Sequence, residues 1–582
     1  MTFRARASGQ QNLLGATAGC GGLSGTPEGR ATVRVQEAPF SFPAVAVEND
    51  VLAFLESEYG QLGCDQNGDF DFSDGILRIF RLGMGETPIA TARAVDAAPR
   101  IDGAPVAVSS GRAYVRTSEA AMGRHGLARP SRAFGGGDAN GASYSRDVSA
   151  DGRYVVYASN ASNLIAPGLD TGGLGDIFRY DRQTGTTVRV SEAFGGGSAN
   201  SYSSDASISA DGRFVAFESQ ATNLLAAPVG DGSTNAVYLR DLQMGTTELV
   251  SEAFGGGFPN GISFTPSISD DGQVIAFLSR ASNLLAPGED TNNDQDVFVY
   301  DRVADTIERV SVFSNGDEAP APGFGAGGLP MTGDGRFVAF LSAQGFDPAD
   351  TNGIADVYLR DRVLGTTELV SVAFAGGGAG NASRPSGISA DGRYVAFSSC
   401  DSGQLLAPGK DTNDKCDVFV RDRVRGVNER VSLASDGSQI QAGGFSFTST
   451  LGSRGMSADG RFVAFVSNAP QLVLGTLYSG AYPVFVHDRA SGVTEQVTVA
   501  ADGTPAEDFG GTFPQPASLS ADGRVVAFGS RASNLQGPFT DFNGTDDVYV
   551  RALNAAASPA VDALLFPNGR LCLLYTSDAA DE

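Results

Sequence analysis

Residues 266–311 read PSISDDGQVIAFLSRASNLLAPGEDTNNDQDVFVYDRVADTIERVS. Residues 266–269 alternate apolar and polar side chains and form a first short segment, A. Asp271-Gly272 follows, a strong hairpin signal because glycine accepts the positive φ of a type I′ turn. Residues 273–278, QVIAFL, are a short apolar run rich in β-branched side chains, which suits a buried strand B. A polar loop with Pro, Gly, Asn and Asp fills residues 279–295. DVFVY, at 296–300, alternates with the period of a half-buried strand C. After a turn at 301–305, TIERVS at 306–311 is a more polar strand D that suits an outer edge. The unit is a four-stranded antiparallel meander that cannot cover both faces alone, so it needs copies to stack against.

The copies are marked by their A–B turns, at Asp151-Gly152, Asp211-Gly212, Asp271-Gly272, Asp334-Gly335, Asp391-Gly392, Asp459-Gly460 and Asp522-Gly523. Neighbouring turns lie 60, 60, 63, 57, 68 and 63 residues apart. Four strands per repeat of this length is a propeller-blade period. A β-sandwich array is the weaker alternative, since sandwiches do not need near-identical turns in every unit. The expected fold is all-β: a single β-propeller of four-stranded antiparallel blades, about eight of them, with seven and nine open. Residues 31–38 match the fourth strand of a repeat, and nothing before them supplies the other three. The last repeat has only three strands, so this N-terminal strand is expected to close the last blade and remove the exposed edge. Residues 43–54 align without gaps on 266–277, and 76–82 and 89–95 supply a third and a fourth strand. Residues 106–115 repeat the first hairpin, but 116–132 are too short for a loop and two more strands. The expected domains are a disordered or extended segment at 1–30, a propeller at 31–556 (divergent blades 40–135, regular blades 141–556), a tail at 557–571 and a non-native scar at 572–582.

The tuple S-x-DGR-[FY]-VAF, ASNL, D-T-N-x-x-x-D-V-[FY]-[VL]-x-D and GTT-x-x-VS resembles the WD40-like (PD40-type) propeller repeat of the TolB family, especially the tandem forms of large bacterial exported proteins. The resemblance is clear from Ser149 to about Arg551 and weak over 31–133. It implies a propeller and an extracytoplasmic location, either periplasmic or secreted. The family's namesake is a periplasmic scaffold, and relatives include propellers fused to peptidases. The chain departs from true WD repeats in having no Trp at all. The final residues, CLLYTSDAADE, resemble the translation of a sequencing-library adapter; the natural chain is expected to continue past Leu571.

The formal charge of −26 and pI near 4.4 argue against nucleic acid, whose binders present basic faces, and against anionic membrane surfaces. No apolar run reaches the roughly 18 residues of a membrane-spanning helix, and the N-terminus has no continuous apolar core of a signal peptide. Of five cysteines, Cys400 ends one B segment and Cys416 precedes the adjacent C segment, so a disulfide between them is expected, with two free thiols as the alternative. Such a bond implies an oxidising compartment.

The loop between B and C carries the chemistry. Asp65, Asn67, Asp69 and Asp71 alternate in one copy, and Asp290, Asn292, Asp294 and Asp296 in another. Oxygen ligands at alternate positions of a tight loop suit Ca²⁺, the candidate cofactor, although no Glu completes an EF-hand. The competing reading is Asx turns that lock the loop. The Asp ending strand C (Asp181, Asp241, Asp301, Asp361, Asp422, Asp488) is expected to cap the C–D turn, and the Leu of ASNL to plug an apolar gap between blades. Only His125 and His487 are present, and no hydrolase motif appears, so no catalytic residue is assigned; His487 is expected on the surface. The functional expectation is a monomeric, non-catalytic scaffold binding a protein or polysaccharide. The alternatives are a regulatory propeller of a truncated peptidase or hydrolase, and a polysaccharide-active propeller enzyme working through the central channel.

Overall fold

The computed structural model describes residues 127–553, apart from 172, 321–327, 402, 414, 440–445, 448–453, 470–471, 473–482, 501–505, 507–516, 537–540 and 542; elsewhere it describes short strands by their backbone alone. The chain divides into two compact units, one comprising Leu127–Ala500 and Pro505–Leu553, the other comprising Met1–Gly126, Ala501–Thr504 and Asn554–Glu582.

The first unit is a β-propeller of seven antiparallel blades. Strands A to D of blade 1 are Ser143–Val148, Tyr154–Ser159, Asp176–Asp181 and Thr186–Arg189. Blade 2 is Ser203–Ile208, Phe214–Ser219, Ala236–Asp241 and Thr246–Leu249. Blade 3 is Ser263–Ile268, Val274–Ser279, Asp296–Asp301 and Thr306–Arg309. Blade 4 has B, C and D at Phe337–Ser342, Asp356–Asp361 and Thr366–Leu369, with Met331 bridging to Val338 on the inner side. Blade 5 is Ser383–Ile388, Tyr394–Ser399, Asp417–Asp422 and Val427–Arg430. Blade 6 is Ser446–Phe447, Phe462–Ser467, Val484–Asp488 and Val493–Gln496. Blade 7 takes A, B and C from Ala517–Leu519, Val525–Ser530 and Asp547–Ala552, and its D strand from Leu127–Ala128.

The last blade is therefore closed by an N-terminal strand, but not by residues 31–38. Leu127 pairs with Arg551 and Ala128 with Val550, while Gly29–Thr32 pairs with Arg4–Ala7. Closure needs a strand immediately before the first connector. Ser131-Arg132-Ala133-Phe134-Gly135 stands in register with Ser191-Glu192-Ala193-Phe194-Gly195, so residues 127–131 are the D strand of the ring. That yields seven blades, at the lower end of the expected seven to nine. In the second unit, Val45–Glu48, Val51–Ser57, Gly75–Arg81 and Gly85–Glu86 form a meander, with Ala94–Val95 also on Gly75–Arg81.

Apolar B and C strands create the core. Each blade packs its inward side chains against the next, and the ring closes where Val525, Ala527, Val548 and Val550 of blade 7 meet Val148, Val155, Tyr157 and Phe178 of blade 1. In blade 3, Phe277 stacks on Phe298 with ring centroids 5.9 Å apart, and equivalent pairs recur from blade to blade. Leu164, Leu284 and Leu535 of ASNL are buried in these interfaces. The A–B turn is not the two-residue type I′ form. Gly272 N–H bonds to Ser269 O at 3.0 Å, its counterparts bond to the equivalent Ser or Thr carbonyl at 2.8–3.0 Å, and only the Gly of Asp-Gly has positive φ (+71°). Glycine is required there twice over, because a Cβ on Gly272 would also lie 2.3 Å from the Phe214 ring of the preceding blade.

The Asp ending strand C caps the C–D turn, as Asp301 Oδ1 does for Val303 N–H at 2.9 Å. In five blades it also forms a two-point ion pair with the Arg of the A–B turn, Arg153–Asp181 being one at 3.0 and 2.7 Å. That arginine holds the Asp181 carboxyl down at about 2. Blade 3 has Gln273 in the arginine's place. Cys400 and Cys416 are joined by a disulfide linking the end of strand B to the start of strand C in blade 5. His487 is not on the surface. It is 3% exposed, with Nδ1 2.9 Å from Thr494 Oγ1, and burial lowers its pKa. The reason is that its position in strand C packs between strands instead of facing water.

Candidate functional site

The B–C loops meet strand D at a recurring ion cluster. In five blades the Asp that begins strand C is buried and accepts a hydrogen bond from the Ser just past strand D: Asp176 from Ser191, Asp296 from Ser311, Asp356 from Ser371, Asp417 from Ser432 and Asp547 from Ser131, at 2.5–2.6 Å. A second Asp lies six residues earlier in each loop (Asp170, Asp290, Asp350, Asp411, Asp541). In four blades an arginine two residues before the Ser enters the same cluster: Arg189, Arg309, Arg430 and Arg129 approach the paired carboxylates at 3.2–3.9 Å. Blades 2 and 6 have Ala236 and Pro483 where strand C would begin with Asp, and carry Leu249 and Gln496 where the arginine would be. Where the carboxylates are absent the arginine is absent too, while blade 4 keeps both aspartates with Leu369 in the arginine's place.

Blade 3 has the richest cluster. Asp290, Asp296 and Glu318 each place an oxygen within 4.8 Å of the others. Arg309 Nη1 lies 3.6 Å from Asp290, 3.4 Å from Asp296 and 2.5 Å from Glu318. Asn292 turns its amide nitrogen to Asp296 (3.0 Å) and to the Ala319 carbonyl (2.9 Å), and Asp294 accepts from Gln295 N–H at 2.8 Å. Of the four predicted ligands, then, Asp290 and Asp296 converge, while Asn292 and Asp294 fix the loop. Glu318 and Arg309 were not anticipated. The arginine has a sequence signal, the ERVS and VRVS endings found in three of the five blades that keep both aspartates. Burial, reinforced by Asp296, pushes the Asp290 carboxyl up to about 6. Against the pull of burial, hydrogen bonds from the hydroxyl and N–H of Thr291, with Arg309 beside them, hold Glu318 below its usual value. Asp65, Asn67, Asp69 and Asp71 lie outside the described residues.

Around the axis the pattern is different, because the carboxylates there do not repeat. Strands A face inward, and their turns are joined by main-chain bonds such as Ala210 N–H to Asp270 O and Ala458 N–H to Ala521 O. Arg454 of blade 6 reaches across the channel. Its guanidinium lies 3.0 Å from Asp270 of blade 3, 3.2 Å from the Ile208 carbonyl of blade 2 and 3.7 Å from Asp147 of blade 1. Asp270 stands where the other turns have Ala or Gly, and Glu218 where the other B strands have Ala158, Leu278, Leu341, Ser398, Val466 and Gly529. Glu218 accepts from Ser204 Oγ, and its neighbour Asp205 lies 3.6 Å from Arg146. Asp205 has φ +37°, in the region that favours glycine. Burial raises both carboxyls; the Asp205 charge further opposes that of Glu218, and Arg146 pulls Asp205 the other way.

The third feature is apolar. Phe134, Phe194, Phe254 and Phe374 occupy the same place in four D–A connectors and are 62–66% exposed. Each backbone N–H is anchored by a carbonyl of the B–C loop, Asn163, Asn223, Asn283 or Gln404, at 2.7–2.8 Å. The rings are thereby presented on the face that carries the acidic loops.

No family model matches the chain, and no curated protein matches it. Solved structures do. TolB from Acinetobacter baumannii is 16% identical with a TM-score of 0.32, over 62% of this chain and 64% of that one, less than two thirds of the TolB length. An oligogalacturonate lyase in complex with manganese is 12% identical with a TM-score of 0.43, over 77% of this chain and 94% of that one. The β-propeller domain of the Trilobed protease from Pyrococcus furiosus is 11% identical with a TM-score of 0.40, over 70% and 93%. These proteins act differently from one another, so the likeness extends to the propeller and no further: the chain is a seven-bladed β-propeller, similar in fold to TolB and to other propellers.

Proposed function

We propose that the chain is a non-catalytic, extracytoplasmic binding scaffold, a monomer that holds a protein partner on the face formed by its B–C loops and D–A connectors. The observation that carries this reading is the set of four exposed phenylalanines at equivalent connector positions. Folding does not require them, since the equivalent connectors of blades 5 and 6 have Ser435 and Ala501 after their Ala. Large apolar side chains grouped on one face mark interaction surfaces, and aromatic anchors dominate protein interfaces. The Cys400–Cys416 disulfide supports an oxidising compartment. The arginine strut across the channel supports binding at a face over passage of a substrate along the axis.

The test is the variant Phe134→Ser, Phe194→Ser, Phe254→Ser, Phe374→Ser. It should melt as the parent does but lose cross-linking to protein partners in the exported fraction of the source cells, with the parent as reference. Unchanged cross-linking would overturn the reading, and retention on insoluble polysaccharide that the variant loses would assign the face to a glycan. One observation favours an enzyme instead: the part-buried Asp205–Glu218 pair, a carboxylate pair beside Arg146. Turnover of a polysaccharide by the parent, abolished in Glu218→Gln, would establish it.

A further inference from the structure

The polar clusters of the B–C loops are not equivalent in charge. In blades 1 and 5 two aspartates face one arginine, and the connector contributes Ser198 or Gln439, residues that bridge Glu192 and Leu433 as Glu318 bridges Val312. Blade 4 has no arginine there, with Leu369 in its place, and the connector residue is Gly378. Blades 3 and 7 each add a third carboxylate from the connector, Glu318 or Asp138, so three negative groups surround one guanidinium, and among the described residues it is in blade 3 that all three carboxylates place oxygens within 4.8 Å of one another. Three carboxylates against one arginine leave two negative charges in a largely buried site, and desolvation makes that expensive unless a cation enters.

A second observation points the same way. The Asp290 side chain is 4% exposed, and its Oδ1 is buried without a hydrogen-bond partner. Buried carboxylate oxygens are normally satisfied. Here the oxygen faces Asp296 and Glu318, with only the Arg309 guanidinium 3.6 Å away. We propose that Asp290, Asp296 and Glu318 form a site for a divalent cation of the calcium class, and that Arg309 occupies the cluster as a resident cation which the metal displaces.

The geometry suits a hard ion. Oxygens within 4.8 Å of one another can all lie about 2.3–2.6 Å from one centre, the range of Ca²⁺–oxygen bonds. The Glu289 and Ala319 carbonyls, which now accept from Arg309 (2.7 Å) and Asn292 (2.9 Å), border the same cluster and can complete an all-oxygen shell with water. A thiol- or imidazole-seeking metal finds no ligand there. Because Glu318 belongs to the connector and Asp290 to the loop, a bound ion would tie the two segments of the face together.

The test is calcium titration of the full chain by calorimetry after removal of divalent ions. The parent should bind with a saturable isotherm that loses one site in Glu318→Gln and in Asp290→Asn. Arg309→Gln removes the competing charge and should bind the same site about tenfold more tightly, as expected when a resident cation no longer has to leave. Asp294→Asn, outside the cluster, should leave the isotherm unchanged. Identical isotherms in the parent, Glu318→Gln and Asp290→Asn would mean adventitious binding at other carboxylates and would overturn the proposal. So would an Arg309→Gln affinity no higher than the parent's. Circular dichroism of each variant separates loss of the site from loss of fold, and Glu318→Gln, on a part-exposed connector, is the variant that keeps the question answerable if Asp290→Asn unfolds.

Discussion

The B–C loop clusters and the axial charges are both polar, but they are built on opposite rules. At the loops the same residues recur in blade after blade, and where a carboxylate is lost its arginine is lost too, as with Ala236 and Leu249 in blade 2. At the axis each carboxylate occurs once: Glu218, Asp205 and Asp270 have no counterparts of like charge in the other blades, and Arg454, whose equivalent in blade 1 is Arg146, must span the channel to find its partners. A feature that repeats with its compensation belongs to the fold. A costly group that appears once, against the residue every other blade prefers, is where function is to be sought. Blades 3 and 4 sharpen the point within the loops. Blade 3 neutralises its aspartates with Arg309, whereas blade 4, with Leu369, relies on the Tyr358 hydroxyl donating to Asp350 and on Asn352 donating to Asp356 at 3.2 Å.

The largest effect should come from removing the compensating charge. Arg309→Met leaves Asp290 and Asp296 facing each other without a cation and should cost about 3–5 kcal/mol, the usual penalty for breaking a buried pair. Chemical denaturation checks it, and adding Asp290→Asn should recover much of the loss. If Arg309→Met is neutral, blade 3 already behaves as blade 4 does and the contrast between them fails. A smaller loss is expected for Ser311→Ala, which deprives the buried Asp296 of a 2.6 Å hydrogen bond. A bond to a charged group is worth about 1.5–3 kcal/mol, and Ser371→Ala in blade 4 should cost a similar amount, since that bond is common to both.

How much of this could be read from the sequence follows from the range of the interactions. Strands B and C, the turns and the existence of a sealing strand are encoded locally, in alternation and in Asp-Gly. The identity of the sealing strand was missed because residues 127–131, LARPS, lack the β-branched run of TVRVS; only the Ser and the following Ala-Phe-Gly preserve the register. Of the cluster, Asp290 and Asp296 were visible in the alternating loop. Glu318 was not, because it arrives from the connector to the next blade and is meaningful only once the D strand has brought it back beside the loop. Arg309 was legible through covariation between repeats. The axial group was least legible: one Glu in FES against FLS is a single letter, and its burial follows only from knowing that strand B is enclosed on both sides.

That single letter offers the finest test of the comparison. Glu218→Leu restores the residue of blades 3 and 4 and removes a buried carboxylate whose charged form is opposed by burial and by Asp205. Replacing buried ionic groups by apolar ones of similar size is often stabilising, by about 1–4 kcal/mol, and the lower end is expected here because Ser204 loses its acceptor. The gain must depend on pH in a definite direction. The folded pKa of Glu218 is raised, so the parent's contribution from this group is full below the unfolded carboxylate pKa and is lost as pH rises through the folded value. Glu218→Leu should therefore melt higher than the parent at pH 8, with the difference shrinking as pH falls toward the carboxylate range. Asp290, with its carboxyl at about 6, gives the parent a slope of the same sign, which Glu218→Leu leaves in place. Asp181, held at about 2, acts oppositely: its contribution is present above the usual carboxylate pKa and is lost only as pH falls through about 2. Thermal melts of parent and variant across pH 5–8 decide the matter. A variant less stable than the parent throughout would mean that Glu218, like the loop aspartates, is a structural residue, and the rule separating the two regions would fall.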